Sequence, residues 1–251
     1  MGISNTNKSE NEEKKFTNPK EKVEKNSSKN TENENNEPNQ EENQEFESIK
    51  KSIVQGAQEL FWTYGLRSVT MDDIASKLAM SKKTLYQYIQ DKAELVYLCA
   101  EHQLEDEHCN MEEASQNAEN AIDEVLQIME YNRQFFLNFH PSLILDLQRS
   151  YPKAWKMFLR HKEEKIIKGI QANMERGKEQ GLYRQNLDPE VMARMRMAQV
   201  ESIFNPQIFS PKNYNIGNVQ FQIFQHFLYG VVTLEGHQVL TKALENVNFF
   251  N

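Results

Sequence analysis

Residues 65–89 read Gly65-Leu66-Arg67-Ser68-Val69-Thr70-Met71-Asp72-Asp73-Ile74-Ala75-Ser76-Lys77-Leu78-Ala79-Met80-Ser81-Lys82-Lys83-Thr84-Leu85-Tyr86-Gln87-Tyr88-Ile89. Thr70 stands three residues before Asp73, the spacing of a capping box with Asp in place of the usual Glu. Ser81 is a second N-cap residue, ready to accept a backbone N–H at the start of another helix. Ile74, Ala75 and Leu78 share one face of the first short helix, and Leu85 and Ile89, four apart, share one face of the second. Ala79 and Met80 leave room only for a tight turn between them. Two capped helices with inward apolar faces, joined by a few residues, make a helix-turn-helix plan.

Upstream, Phe46, Ile49, Ile53, Ala57, Leu60, Phe61 and Tyr64 recur every three or four residues, with Lys50, Lys51, Gln55 and Glu59 between them. That period predicts a helix packed against the next two, and Gly65 suits its C-terminal end. Downstream, Asp91 and Glu94 form another capping box, opening a fourth helix through Leu95, Leu98 and His102. Segments 117–139, 141–150, 152–180, 188–204 and 219–246 also carry helical periodicity, and strand alternation is absent. The expected fold is all-α: a three-helix head over 46–95, joined by a connecting helix to a larger helical domain over 96–251.

A helix that reads DNA buries one face and offers the other to a groove. With Leu85 and Ile89 packed on Ile74, Leu78 and Leu60, the third helix offers Lys82, Lys83, Thr84, Tyr86, Gln87 and Tyr88. Lys and Tyr suit phosphate oxygens, while Lys, Thr and Gln suit base edges. The blander alternative makes the lysines a solvated face and the tyrosines packing residues.

The frame resembles the TetR family of bacterial transcriptional regulators. Residues 65–75 are similar to that family's turn and second helix, Ser81–Ile89 to its recognition helix, and Asp91-Lys92-Ala93-Glu94-Leu95 to the start of its connecting helix. The chain departs from many members where Lys83 replaces Gly. Carried over residue by residue, the resemblance implies phosphate contacts from Thr70, Tyr86, Tyr88 and Lys92. It implies base contacts from some of Lys82, Lys83, Thr84 and Gln87. It further implies a homodimer that pairs through the last two long helices, here 188–204 and 219–246, and that sits on a palindromic double-stranded DNA operator. Met192, Met195, Val200, Ile203 and Phe204, with Phe224, Phe227, Leu228 and Val231, are the apolar residues available for that seam. An ordinary internal core explains them equally well. A dimer places two reading heads about 34–36 Å apart, one helical turn of DNA.

Between head and seam the chain is aromatic-rich, and an apolar pocket for an unidentified small-molecule effector is expected there. Its candidate lining is Ile128, Tyr131, Phe135, Phe139, Trp155 and Phe158. The expected function is therefore a repressor released by that effector. Two other readings stand beside it: a helical protein-interaction scaffold with a vestigial head, and a metal- or redox-sensing regulator. For the latter, Cys99, His102, Asp106 and Cys109 form one stripe, but its ends lie about 15 Å apart at helical rise, too far for one ion. No metal and no cofactor is expected.

Composition sets the outer bounds. Residues 1–45 form a polar tail with few larger apolar groups (Met1, Ile3, Phe16 and Val23), too few to offset the entropy of ordering, and are expected to be disordered. The net charge of −8 argues against indiscriminate polyanion binding, although charges balance within 45–95, leaving room for a small docking surface. Two cysteines make no disulfide framework, and no signal peptide or membrane-spanning run is present, so a cytoplasmic protein with no membrane partner is expected. No phosphate-cradling Gly-rich loop, HExxH, nucleophile elbow or paired-carboxylate pattern points to an enzyme.

Overall fold

The computed structural model describes residues 40–138, 140 and 142–245, and the side chains of these apart from 40, 41 and 134–138. Residues 1–39 of the tail lie outside that set. Its last residues do not: helix α1 runs Gln40–Tyr64 and so begins before Phe46. Gln and Glu, abundant in 40–45, are good helix formers, and the helix propagates into them without an apolar face. Periodicity marks where a helix is buried, not where it starts.

The head follows in α2 (Met71–Lys77) and α3 (Lys82–Tyr88). Its core is Ile53, Ala57 and Phe61 of α1, Ile74 of α2, Leu85 of α3 and Ile89 at its C-cap, each 0–1% exposed. Leu60 and Leu78 pack on them. Gly65 ends α1 at φ +82°, and a Cβ there would come within 3.0 Å of His140. The turn between α2 and α3 uses Ala79 at φ 52°, a left-handed conformation unusual for a residue with a Cβ.

From Asp91, whose carboxylate accepts the Glu94 N–H at 2.8 Å, α4 (Lys92–Asn117) leads into the body. There α5 (Ala121–Asn138) and α7 (Pro152–His161) pack on it, with α6 (Leu143–Ser150) against α7 and α8 (Ile167–Glu179) against α5. A five-residue π-helical segment, Lys162–Ile166, interrupts what the sequence presents as one helix over 152–180. A buried polar network ties α5 to α8: Asn173 donates to Glu124 at 2.8 Å and to the Ala121 carbonyl at 2.9 Å, and Tyr183 donates to Asn173 at 3.2 Å. Helix α9 (Pro189–Ile203) starts on Asp188, which caps two backbone N–H groups.

The expected helix over 219–246 is two helices, α10 (Ile216–Val231) and α11 (Leu234–Glu245). Between them Val232 forms an isolated antiparallel bridge with Tyr183. Arg184 N–H donates to Val231 at 2.9 Å and Thr233 N–H to Leu182 at 2.9 Å. Among the described residues no helix is long and apolar enough to cross a membrane.

One apolar cluster holds Phe61, Leu66, Ile74 and Leu85 of the head together with Leu95, Cys99, Leu143, Leu147 and Ala154 of the body.

Candidate nucleic-acid interface and cavity

Ser81 fixes the start of α3 by accepting the Thr84 N–H at 3.0 Å. With Leu85 and Ile89 sealed inside, Lys83, Tyr86 and Gln87 stand exposed on the opposite side. Lys82 is exposed too, and its ammonium lies 3.0 Å from Asp72. That carboxylate raises the Lys82 pKa, chiefly through the hydrogen bond, so the group is charged. A surface pair of this kind contributes little and exchanges readily for a phosphate. These four side chains make one outward face with two cations, a phenol and an amide.

The remaining sequence candidates sit differently. Thr70 is exposed, but its hydroxyl donates to Asp73 at 2.7 Å and accepts the Asp73 N–H at 3.2 Å, completing the capping box. Thr84 is half-buried, its hydroxyl 2.7 Å from that of Ser81. The half-buried Tyr88 ring packs on Phe46 at 4.8 Å between centroids. Lys92 is turned inward: its ammonium donates to the Leu66 carbonyl and lies 5.8 Å from the Phe61 ring centre, and burial lowers its pKa. It is one of the residues expected from sequence to hold a phosphate, and here its ammonium holds the head's own loop.

The body encloses a cavity of about 650 Å³. Trp155 and Phe158 line it, as do Trp62 of α1, Gln103 and Glu107 of α4, and Phe204 beyond α9. Ile128 and Tyr131, expected in the lining, are not there, and Tyr131 is 41% exposed. The Phe135 side chain and all of Phe139 lie outside the described residues. Trp62 is the contributor that sequence reasoning missed, because it stands beside Phe61 and off the stripe that marks the head core. Its indole N–H donates to Gln103 at 3.2 Å.

The cavity and the head share a wall. Leu143 and Leu147 of α6 line the cavity and also belong to the head's apolar cluster. From the same helix Asp146 pairs with Arg67, in the α1–α2 loop, at 2.9 Å. Ser142 donates to Asp146 at 2.8 Å, and the His140 N–H donates to the Trp62 carbonyl at 2.8 Å.

The cysteine stripe does not converge. Cys99 faces the head core, 3.5 Å from the Val54 carbonyl, while Cys109 is exposed. His102 pairs with Asp106 at 3.1 Å, and among the described residues no group of His, Cys, Asp and Glu could hold a metal ion.

Of the apolar residues expected at a dimer seam, Ile203, Phe224, Phe227, Leu228 and Val231 are at most 7% exposed in the single chain. On α9, α10 and α11 the exposed large apolar residues are Val191, Met195, Tyr229 and Leu234, at 55%, 42%, 40% and 80% exposure.

Residues 53–97 match the family described as bacterial regulatory proteins, tetR family. An uncharacterized HTH-type transcriptional regulator of Bacillus subtilis, YvaF, is 25% identical over 172 residues, covering 67% of this chain and 88% of that protein. A TetR-family transcriptional regulator from Agrobacterium tumefaciens has the same fold, with a TM-score of 0.63 and 16% identity over 75% of this chain and all of its own. So does a regulator from Saccharomonospora viridis solved in complex with choline, with a TM-score of 0.59 and 14% identity over 74% of this chain and 99% of that one.

Proposed function

We propose that this chain, whose head is that of the TetR family of bacterial regulators, is a dimeric repressor that sits on a palindromic operator and is released by a small effector. The tetR-family match over residues 53–97 and the 25% identical HTH-type regulator support the broader reading of a helix-turn-helix transcriptional regulator. The observation that carries the finer reading is the outward face of α3, where Lys82, Lys83, Tyr86 and Gln87 oppose a fully buried Leu85 and Ile89. Lys83 and Gln87 read base edges, and Lys82 and Tyr86 hold phosphates. Thr70, Thr84 and Tyr88 add contacts at the rim.

The exposed Val191, Met195, Tyr229 and Leu234 supply the apolar centre of the dimer seam, in place of the phenylalanines that each protomer keeps for its own core. The cavity is the effector site, within the usual size range for small ligands. The choline-bound relative supports a ligand-holding role for this fold. Helix α6 transmits occupancy, because its apolar side forms cavity wall while Asp146 holds Arg67. An effector that displaces α6 shifts the population of head orientations away from the one that fits successive major grooves. Release is therefore a differential-affinity effect, acting in the cytoplasm.

Binding to DNA upstream of the chain's own gene, measured across a salt series, tests this reading. A discrete protected site is expected, with affinity falling steeply as salt rises. Replacing Lys83 or Gln87 with Ala is expected to change sequence preference, by about 1–3 kcal/mol at the base concerned. Uniform weak binding untouched by either substitution would refute it, and would favour the interaction-scaffold alternative.

A further inference from the structure

The cavity's charges are uneven. Lys162 and Glu201 both line it and neutralise each other at 3.0 Å. Gln103 and Asn132 are neutral, and Arg149 lies exposed at the end of α6. Glu107 has no such partner. It accepts no hydrogen bond among the described residues, and the nearest basic group is His161 Nε2 at 4.0 Å. Burial, with His108 and Lys165 adding to it, lowers the His161 pKa, so that ring is neutral near pH 7. The Glu107 side chain keeps 26% of its surface accessible while forming part of the cavity wall. Burial raises its pKa to about 7. An unpaired carboxylate in so apolar a setting is costly, and a positive ligand relieves that cost.

Around it the lining is aromatic. Trp62, Trp155, Phe158 and Phe204 contribute, and the Trp155 and Phe158 rings stack at 5.2 Å. Aromatic faces attract cations as well as apolar bodies.

We infer that the effector is an organic cation, a protonated amine or quaternary onium centre on an apolar body, with Glu107 as its counter-charge and the aromatic wall around it. This rests on the reading of the cavity as the effector site, and narrows the apolar effector expected from sequence to a charged class. Arg149 marks the rim where such a ligand's neutral end belongs.

Both tryptophans of the chain, Trp62 and Trp155, line the cavity, so tryptophan fluorescence reports its occupancy directly. Three probes of related shape separate charge from size: tetraphenylphosphonium, tetraphenylborate and neutral triphenylphosphine oxide. The wild-type protein is expected to bind the phosphonium about tenfold or more tighter than the borate, a difference of about 1.4 kcal/mol or more. Glu107→Gln is expected to erase most of that preference without weakening binding of the neutral phosphine oxide. Without any substitution, phosphonium affinity is expected to fall about tenfold from pH 8 to pH 6, as the fraction of ionised Glu107 falls. Any charging of His161 acts in the same direction. Phosphine oxide carries no charge for Glu107 to pair with, so its affinity is not expected to show that fall.

Equal or tighter binding of the borate, a phosphonium preference that survives Glu107→Gln, or a flat pH profile overturns the charge assignment and leaves the cavity an effector site. Failure of all three probes to perturb the tryptophans overturns the effector-site reading itself, and the cation inference with it.

Discussion

The ion pair between Arg67 and Asp146 is a polar bond between the reading head and the cavity wall, and its strength follows from its geometry. The charges lie 2.9 Å apart, with the Asp146 side chain 7% exposed and that of Arg67 62% exposed. At an effective dielectric constant of about 20, Coulomb attraction at that distance is about 6 kcal/mol. Water around the guanidinium and the entropy of holding a long side chain remove most of it. An exposed pair retains about 0–1 kcal/mol, whereas stripping a partner from a fully buried pair costs about 3–5 kcal/mol. Half-sheltered, this pair belongs between those limits. Arg67→Ala is therefore expected to cost about 1–2 kcal/mol of unfolding free energy and to lower Tm by about 2–8 °C for a chain of this size. Asp146→Asn keeps an acceptor for Ser142 and isolates the charge. The double variant, measured by urea denaturation, is expected to give a coupling energy of about 1 kcal/mol. A coupling energy under about 0.3 kcal/mol would mean that the two groups do not act on each other in solution. Transmission through α6 would then rest on the shared apolar wall alone.

Ala79→Gly relieves a left-handed backbone and is expected to stabilise the fold by about 0.5–1 kcal/mol; a loss of stability in thermal melts would contradict the turn geometry. Lys92→Met removes a cation that holds the Leu66 carbonyl, so stability is expected to fall by about 1–2 kcal/mol, while the salt dependence of DNA binding stays as in wild type. A drop in the salt slope of about one would instead put Lys92 on a phosphate. Burial pushes the Cys99 thiol far above its ordinary pKa, and Cys109 is exposed. A thiol reagent at pH 8 is therefore expected to label one cysteine in the folded protein and both in denaturant, with two rapid native labels as the refuting result.

The sequence by itself determined the head. Its determinants are local: the Thr70–Asp73 box, the Ser81 cap, glycine at 65, and the fourfold spacing of Leu85 and Ile89 all act within a turn or two of chain. Backbone hydrogen bonding and one-sided burial leave such a segment few alternatives. The same locality explains the boundaries that shifted. Nothing in 40–45 marks the start of α1, since helix formers without an apolar face carry no period, and nothing in 219–246 announces a break that arises because Val232 and Thr233 meet residues 182–184 from another part of the chain.

Only the tertiary structure decided the uses of individual side chains in the body. Sequence periodicity shows that Phe224 and Phe227 are buried, but whether a protomer or a dimer buries them depends on which helix lies opposite. Lys92 is expected from sequence to hold a phosphate, yet the Leu66 carbonyl and the Phe61 ring close to it capture the ammonium. Trp62 belongs to the head by sequence and to the cavity by packing. Glu107 stands among charged neighbours along α4 and looks like one more solvated acid, and only the fold of α6, α7 and α9 around it makes it an unpaired carboxylate in an aromatic chamber. A cap or a turn is fixed by neighbours along the chain, whereas a cavity or a seam is fixed by neighbours in space, and no local pattern encodes which those will be.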